Sequence, residues 1–215
     1  AIVLSRQKLP YNNMSITTDN RCMMGAYEVK ITSHDSKVTI AASGSEVGLA
    51  LETQKLLKEK DDNLSRLKSS VASALLGFKG EGLTVDERDG KLYVSLENSL
   101  LFPSGSWKVN ENGKQAIVEL AKVLVQQSDI QIMVEGHTDN VPYKGTGLIK
   151  DNWDLSVKRA TSIVRILQND FGVPPERMTA AGRSFYVPIA DNDTSEGRAK
   201  NRRTRIVVLQ KLDQF

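Results

Sequence analysis

Five short runs with strand character alternate with two strongly amphipathic helical segments between residues 83 and 209, and few folds accommodate that order. Residues 83–85 and 91–96 read as strands, joined by Arg88-Asp-Gly-Lys91, whose Asp-Gly pair is a strong hairpin signal. A helix starting at Asn110 or Asn112 would bury Ile117, Leu120, Ala121 and Leu124. Residues 130–135 form a further strand, residues 155–167 a second helix with Ala160, Ile163, Val164 and Leu167 inward, and residues 178–181 and 204–209 the last strands. Helices must cover the apolar face of such a sheet. The fold class expected is α/β, a two-layer sandwich with a mixed sheet.

The N-terminal part has a different texture. Lys37-Val-Thr-Ile-Ala-Ala-Ser-Gly-Ser-Glu46 reads as a buried strand, a glycine turn and the start of a helix that continues through Leu56 and Leu57. A polar run from Lys58, Lys-Glu-Lys-Asp-Asp-Asn, looks like a seam or an exposed helix start. Beyond it, Leu64, Leu67, Val71, Leu75 and Phe78 recur at helical spacing, giving an amphipathic segment that ends near Gly77. The expected division is therefore residues 1–57, a linking helix over 58–78, and a domain over 79–215. The apolar stripe of the linking helix would pack on its own domain or form a homodimer contact.

Bulk properties exclude more than they select. The chain has 215 residues, 40% hydrophobic and 26% charged, enough to bury a core, and its net charge of +3 does not by itself indicate nucleic acid or membrane. The single cysteine, Cys22, rules out an intrachain disulfide scaffold. No apolar run approaches the roughly 20 residues that span a bilayer. The first residues lack a signal peptide's basic start and apolar stretch, so a targeting segment would have to lie outside this sequence.

Residues 1–57 contain Leu4-Ser-Arg-Gln-Lys-Leu-Pro10, Gly25-Ala-Tyr-Glu-Val29 and Ile40-Ala-Ala-Ser-Gly-Ser-Glu-Val-Gly-Leu-Ala50. This stretch resembles the start of the C-terminal domain of transketolase, as in a fusion, a mis-joined gene or a chimera. The resemblance implies at most a truncated strand–turn–helix, because that family's thiamine diphosphate and metal sites lie in segments absent here. A transketolase-related fragment or regulator is the alternative function it suggests. Ser43-Gly-Ser45 reads as a structural turn in preference to a phosphate cradle.

The most informative text lies later. Glu135-Gly-His-Thr-Asp-Asn140 follows a strand, and Asn152-Trp-Asp-Leu-Ser-Val-Lys-Arg-Ala160 opens a helix. Gly182-Arg183 and Asn192-Asp-Thr-Ser-Glu-Gly-Arg-Ala-Lys-Asn-Arg-Arg203 complete the series. On residue chemistry alone, Asp139 and Arg159 read either as an internal salt bridge or as an acid and a guanidinium fork suited to a zwitterion. Thr138 and Asn140 offer loop hydrogen bonds or ligand contacts, and Asn152 a helix cap. Arg205 either reaches the pocket or lies on a solvated strand face. His137 reads as structural, bonding backbone near the strand end, because His34 is the only other histidine and no ligand spacing surrounds either. The basic run Arg198, Lys200, Arg202, Arg203 and Arg205 lacks interleaved aromatics and reads as a solvated face with some arginines bracing a loop, with no nucleic-acid partner.

Taken together, the four motifs resemble the OmpA C-terminal (OmpA/MotB) family over residues 60–215. The resemblance implies non-catalytic binding of peptidoglycan in the periplasm, at the outer membrane, with no cofactor and no metal. It implies that Asp139 and Arg159 grip the side-chain end of diaminopimelate in the stem peptide, and that Asn152 lines the same pocket. The stretch 141–151 is longer than in the shortest family members, and offers a lid or a glycan contact through Tyr143 and Trp153.

Overall fold

The computed structural model describes residues 46–78, 80, 82–145, 147 and 149–210. The strand expected at residues 37–40, the turn at Ser43-Gly-Ser45 and the transketolase-like text before residue 46 lie outside the described residues. The chain divides into two compact units, Ala1–Glu59 and Lys60–Phe215. Of the first, residues 46–59 are helical.

Helix α1 runs Glu46–Ala74 without a break at the polar run, and a short 3-10 turn, Leu76–Phe78, follows it. Charged residues of high helix propensity continue a helix as readily as they flank one, so the helix runs on through the polar run. Within the second unit, Leu64, Leu67 and Val71 of α1, and Leu75 just after it, are all buried in the core. Of the two uses open to the stripe, packing on its own domain or a homodimer contact, the first is the one these residues make. The Gln210 side-chain amide donates to the Lys60 carbonyl at 2.8 Å, tying the last strand to this segment.

The sheet contains β1 (Leu83–Arg88), β2 (Lys91–Glu97), β3 (Ile130–Gly136), β4 (Met178–Gly182) and β5 (Arg203–Gln210), in the order β1-β2-β5-β3-β4. All neighbours pair antiparallel except β3 and β4, which are parallel. This mixed sheet with helices is the α/β class expected. The β1–β2 turn places Asp89 (φ 51°) and Gly90 (φ 67°) in left-handed conformations, the requirement of the tight hairpin that Asp-Gly signals. Strand alternation sets the two faces. Leu92, Val208 and Ile132 lie side by side across three strands, as do Val94, Ile206 and Val134, and all are buried with the helices' apolar residues.

The helices of the second unit begin and end on recognisable chemistry. Two are α3 (Glu111–Val125) and α4 (Asn152–Phe171). Asn110 caps α3, its Oδ1 accepting from the Gly113 N–H at 2.7 Å. Asp151 caps α4, accepting from the Asp154 N–H at 3.0 Å, so the capping role considered for Asn152 falls to its neighbour. Gly172 (φ 67°) closes α4, with the Val173 N–H reaching back to the Leu167 carbonyl. Two short helices carry no apolar periodicity to announce them, α2 (Asn98–Leu101) and α5 (Ser195–Asn201).

Helix α4 crosses the end of the sheet unusually closely. Gly136 of β3 and Gly182 of β4 are register partners. A Cβ on Gly136 would stand 2.1 Å from the Ser156 carbonyl oxygen, and one on Gly182 would stand 2.4 Å from Val157 Cγ2. Both glycines are required by proximity rather than by dihedral angle. They bring the first turns of α4 down onto the strand ends, beside the loop that carries Asp139.

Candidate binding site

Asp139 leaves β3 three residues past its last position and is 7% exposed. Its loop is held from several directions. Thr138 Oγ1 donates to the Asp139 carbonyl at 3.0 Å, and Asn152 Nδ2 donates to the carbonyls of Asp139 (3.3 Å) and Val141 (3.0 Å). The Asn140 N–H donates to Asn192 Oδ1 at 3.4 Å, while the Asn140 residue is exposed. The carboxylate accepts from the Val141 N–H through Oδ1 at 3.2 Å, and from Arg202 Nη1 through Oδ2 at 2.5 Å.

Arg202 is the residue that sequence reasoning did not single out for this site. Its position follows from Asn201 and Asn98. Asn201 is fully buried and bonds the 189–192 loop, accepting from the N–H groups of Ile189 and Ala190 and donating to the Ala190 carbonyl and to Asn192 Oδ1. The Asn98 N–H donates to the Arg202 carbonyl, its Nδ2 to the His137 carbonyl, and its Oδ1 accepts from Thr204 Oγ1. Asn98 therefore joins the entry of β5 to the exit of β3, which carries Arg202 to Asp139. The signal available in the sequence was the buried asparagine preceding the arginine pair, Asn201-Arg-Arg203.

Arg159 sits on the buried side of α4, 4% exposed. Its Nε donates to the Ser106 carbonyl at 2.9 Å, and its guanidinium carbon lies 5.2 Å from the Phe102 ring centroid. Among the described residues no carboxylate pairs with it, and its terminal nitrogens have no hydrogen-bond partner. Asp139 and Arg159 are neighbours in the electrostatic sense but do not bond each other. Burial pushes the Arg159 guanidinium down to about 10; Arg202 acts in the same direction, while Tyr143 and Asp139 oppose it. At neutral pH it remains a cation, almost buried, with unfilled donors.

Arg205 lies elsewhere. It alternates with buried Thr204 and Ile206, and so projects from the opposite face of the sheet, opposite Glu135 in register. There Arg205 Nη2 pairs with Glu135 Oε2 at 2.6 Å and Arg183 Nη2 with Oε1 at 2.7 Å, so two forks share one buried carboxylate. Burial would raise the Glu135 carboxyl, but His137, Arg183 and Arg205 together hold it far below the usual carboxylate range. The same face carries His137, 1% exposed, whose Nε2 stands 3.7 Å from Glu135 Oε2. Its ring nitrogens have no hydrogen-bond partner among the described residues. The backbone contacts expected of His137 are made by its own N–H and carbonyl instead, with Arg203 and Asn98. Burial pushes the imidazole down from its ordinary value, with Arg203 and Arg205 acting in the same direction and Glu135 opposing, so the ring is neutral near pH 7.

The site thus offers a partly open carboxylate, a nearly buried unpaired guanidinium and a framework of amide and hydroxyl groups. It has the parts to hold a charged ligand.

Comparison with known proteins finds relatives over this region. The model of the OmpA family matches residues 101–202, the stretch that contains Asp139, Arg159 and Arg202. Motility protein B of Bacillus subtilis is 31% identical over 149 residues, which is 69% of this chain and 57% of that protein, so the chain spans little more than half of this curated relative. A MotB-like protein from Desulfovibrio vulgaris shares the fold with a TM-score of 0.66 at 22% identity, covering 74% of this chain and 98% of that one. The cell wall anchor of the T6SS from Pseudomonas aeruginosa superposes with a TM-score of 0.60 at 32% identity, covering 66% of this chain and 97% of that one. The transketolase resemblance of residues 1–57 finds no support. The family model lies across the site itself, so residues 101–202 carry an OmpA-family domain.

Proposed function

We propose that the unit Lys60–Phe215 is a non-catalytic module that binds peptidoglycan in the periplasm and tethers an envelope component to the cell wall. The observation that carries this reading is Arg159, a nearly buried cation with no carboxylate partner beside the carboxylate of Asp139. A cation so placed costs free energy unless something fills its donors. The side-chain end of diaminopimelate has an ammonium and a carboxylate on one carbon, which match Asp139 and Arg159. Asp139 has lone pairs beyond those used by Val141 and Arg202, so an ammonium can join without displacing Arg202. Thr138 and Asn152 fix the loop, and Asn140, exposed beside the acid, is free to contact the ligand. Arg205, occupied by Glu135 on the other face, supports the fold and not the ligand.

A solved relative described as a cell wall anchor supports the tethering role, and among the described residues no helix is long and apolar enough to cross a membrane. The test is co-sedimentation of the protein with sacculi. Diaminopimelate-type sacculi should carry it to the pellet, whereas lysine-type sacculi, which lack the side-chain carboxylate, should bind it weakly, and Asp139→Ala or Arg159→Ala should leave it in solution. Wild-type protein remaining wholly in the supernatant with diaminopimelate-type sacculi would overturn the reading.

A further inference from the structure

Apart from the Asp139 loop, a groove of about 440 Å³ lies between α3 and α4. Its lining includes the sequence neighbours of the Arg159–Ser106 contact. Ser106, whose carbonyl receives the Arg159 Nε, is followed by Trp107 and Lys108 in the groove wall, and Lys158 precedes Arg159 on α4. Arg165 lies farther along the same helix. Lys108, Lys158 and Arg165 form no ion pair or hydrogen bond through their side chains among the described residues. Lys114, in contrast, pairs with Asp170 at 4.0 Å. Glu111 is the remaining acid on the rim, at the start of α3, so cations are in excess along the groove.

Unpaired cations on a half-enclosed wall beside an indole suit an anion carried on a chain with some apolar bulk. We infer that this groove is a second subsite, which takes a carboxylate of the stem peptide next to the diaminopimelate residue held at Asp139 and Arg159. The inference rests on the peptidoglycan reading above. In a stem peptide the next free carboxylate is that of the preceding glutamate, one residue along the same chain. The two sites would then read two consecutive residues of one peptide. The first recognises a zwitterion, the second a lone negative charge. Because Lys108, Lys158 and Arg165 are exposed or half-exposed, the second subsite contributes modestly and is screened by salt.

The test uses calorimetric titration of the whole chain with three probes: free diaminopimelate, the tripeptide alanyl-isoglutamyl-diaminopimelate, and the same tripeptide with its glutamate carboxylate amidated. The tripeptide should bind more tightly than the amidated form by about fivefold, the scale of one partly exposed ion pair. The double variant K158Q/R165Q should bind both tripeptides at the affinity of the amidated form and leave free diaminopimelate unchanged. Equal binding of both tripeptides to the wild type, or no effect of the double variant, overturns the subsite while leaving the primary site standing. Failure of all three probes to bind would overturn the primary reading and the subsite with it. Circular dichroism of the double variant separates a folding defect from a lost contact, and Lys108→Gln is a second variant that must weaken tripeptide binding in the same direction.

Discussion

Asp139 pairs with Arg202, 63 residues away in the chain, and not with Arg159 on the helix that follows it. This division of labour leaves one arginine to hold the acid and the other with unfilled donors. A closed Asp139–Arg159 salt bridge would satisfy both groups and leave no reason for a ligand to enter. As built, the carboxylate is aimed by Arg202, and the site carries a surplus positive charge at Arg159. The energetic tension of the free protein is therefore localised where a ligand carboxylate would relieve it.

Replacing that surplus cation should stabilise the free protein while destroying binding. Burial lowers the Arg159 guanidinium from its ordinary value to about 10, so retaining its charge at neutral pH works against folding. Arg159→Met keeps the length and the packing on Phe102 but removes the charge, losing only the bond to Ser106. Urea unfolding should show a gain of about 1 kcal/mol. Co-sedimentation with sacculi should fall to background. A variant that lost stability comparable to a core truncation would show that Arg159 is a structural residue.

The close approach of α4 to the sheet should tolerate no side chain at Gly136. Its Cβ would meet the backbone carbonyl of Ser156, which cannot rotate away. Gly136→Ala should cost about 3 kcal/mol, at the upper end of overpacking penalties, and lower the thermal midpoint accordingly. Gly182→Ala meets the end of the Val157 side chain and Ser156 Oγ, which have more freedom, and should cost less. Gly77→Ala, which meets nothing within 4 Å, is the control and should be near neutral.

Much of this arrangement was legible in the residues, and the limits are instructive. Ile117, Leu120 and Leu124 on α3, and Ala160, Ile163 and Leu167 on α4, announced their buried faces because burial repeats with the helical period. Asp139 was legible because it follows a strand within a recognisable run of polar residues. The Arg202–Asp139 pair was not, because it depends on β5 entering the sheet between β2 and β3, a long-range register that no local pattern encodes. Arg205 read either as reaching the pocket or as lying on a strand face, and its alternation with Ile206 puts it on the sheet face opposite the core. The closeness of α4 was also hidden, since nothing local singles out Gly136 and Gly182 until β3 and β4 are paired.

The polar cluster on that other face should dominate acid denaturation. His137 has its folded value pushed below the ordinary 6.5, and Glu135 is held far below the ordinary 4.5. In each case the unfolded chain binds protons at a higher pH than the folded one, so stability rises with pH through that window. The His137 contribution is fully present above about pH 6.5 and is lost as the pH falls below it. The Glu135 contribution is present above about 4.5 and is lost as the pH falls towards its depressed folded value. Stability measured by denaturant between pH 8 and 3 should fall in these two stages. His137→Phe should flatten the upper stage. Glu135→Gln should remove the lower one and cost about 3 kcal/mol at pH 7, since it leaves Arg183 and Arg205 without their shared partner.

Asn152 offers the cleanest separation between the frame of the site and its charges. It touches neither carboxylate nor guanidinium, but its Nδ2 holds the carbonyls of Asp139 and Val141 on either side of the acid. Asn152→Ala leaves those carbonyls without their buried donor and frees the loop, while Arg202 still pairs with Asp139 and Arg159 still lacks a partner. The helix itself should survive, because Asp151 caps it. The expected result is a stability loss of about 1–2 kcal/mol together with weaker retention by sacculi, and a salt dependence of binding like that of the wild type. Asn152→Asp keeps the shape but places acceptors against two carbonyls, so it should be worse than alanine on both measures. Wild-type retention by the alanine variant would mean that Thr138 and Arg202 suffice to hold the acid in place.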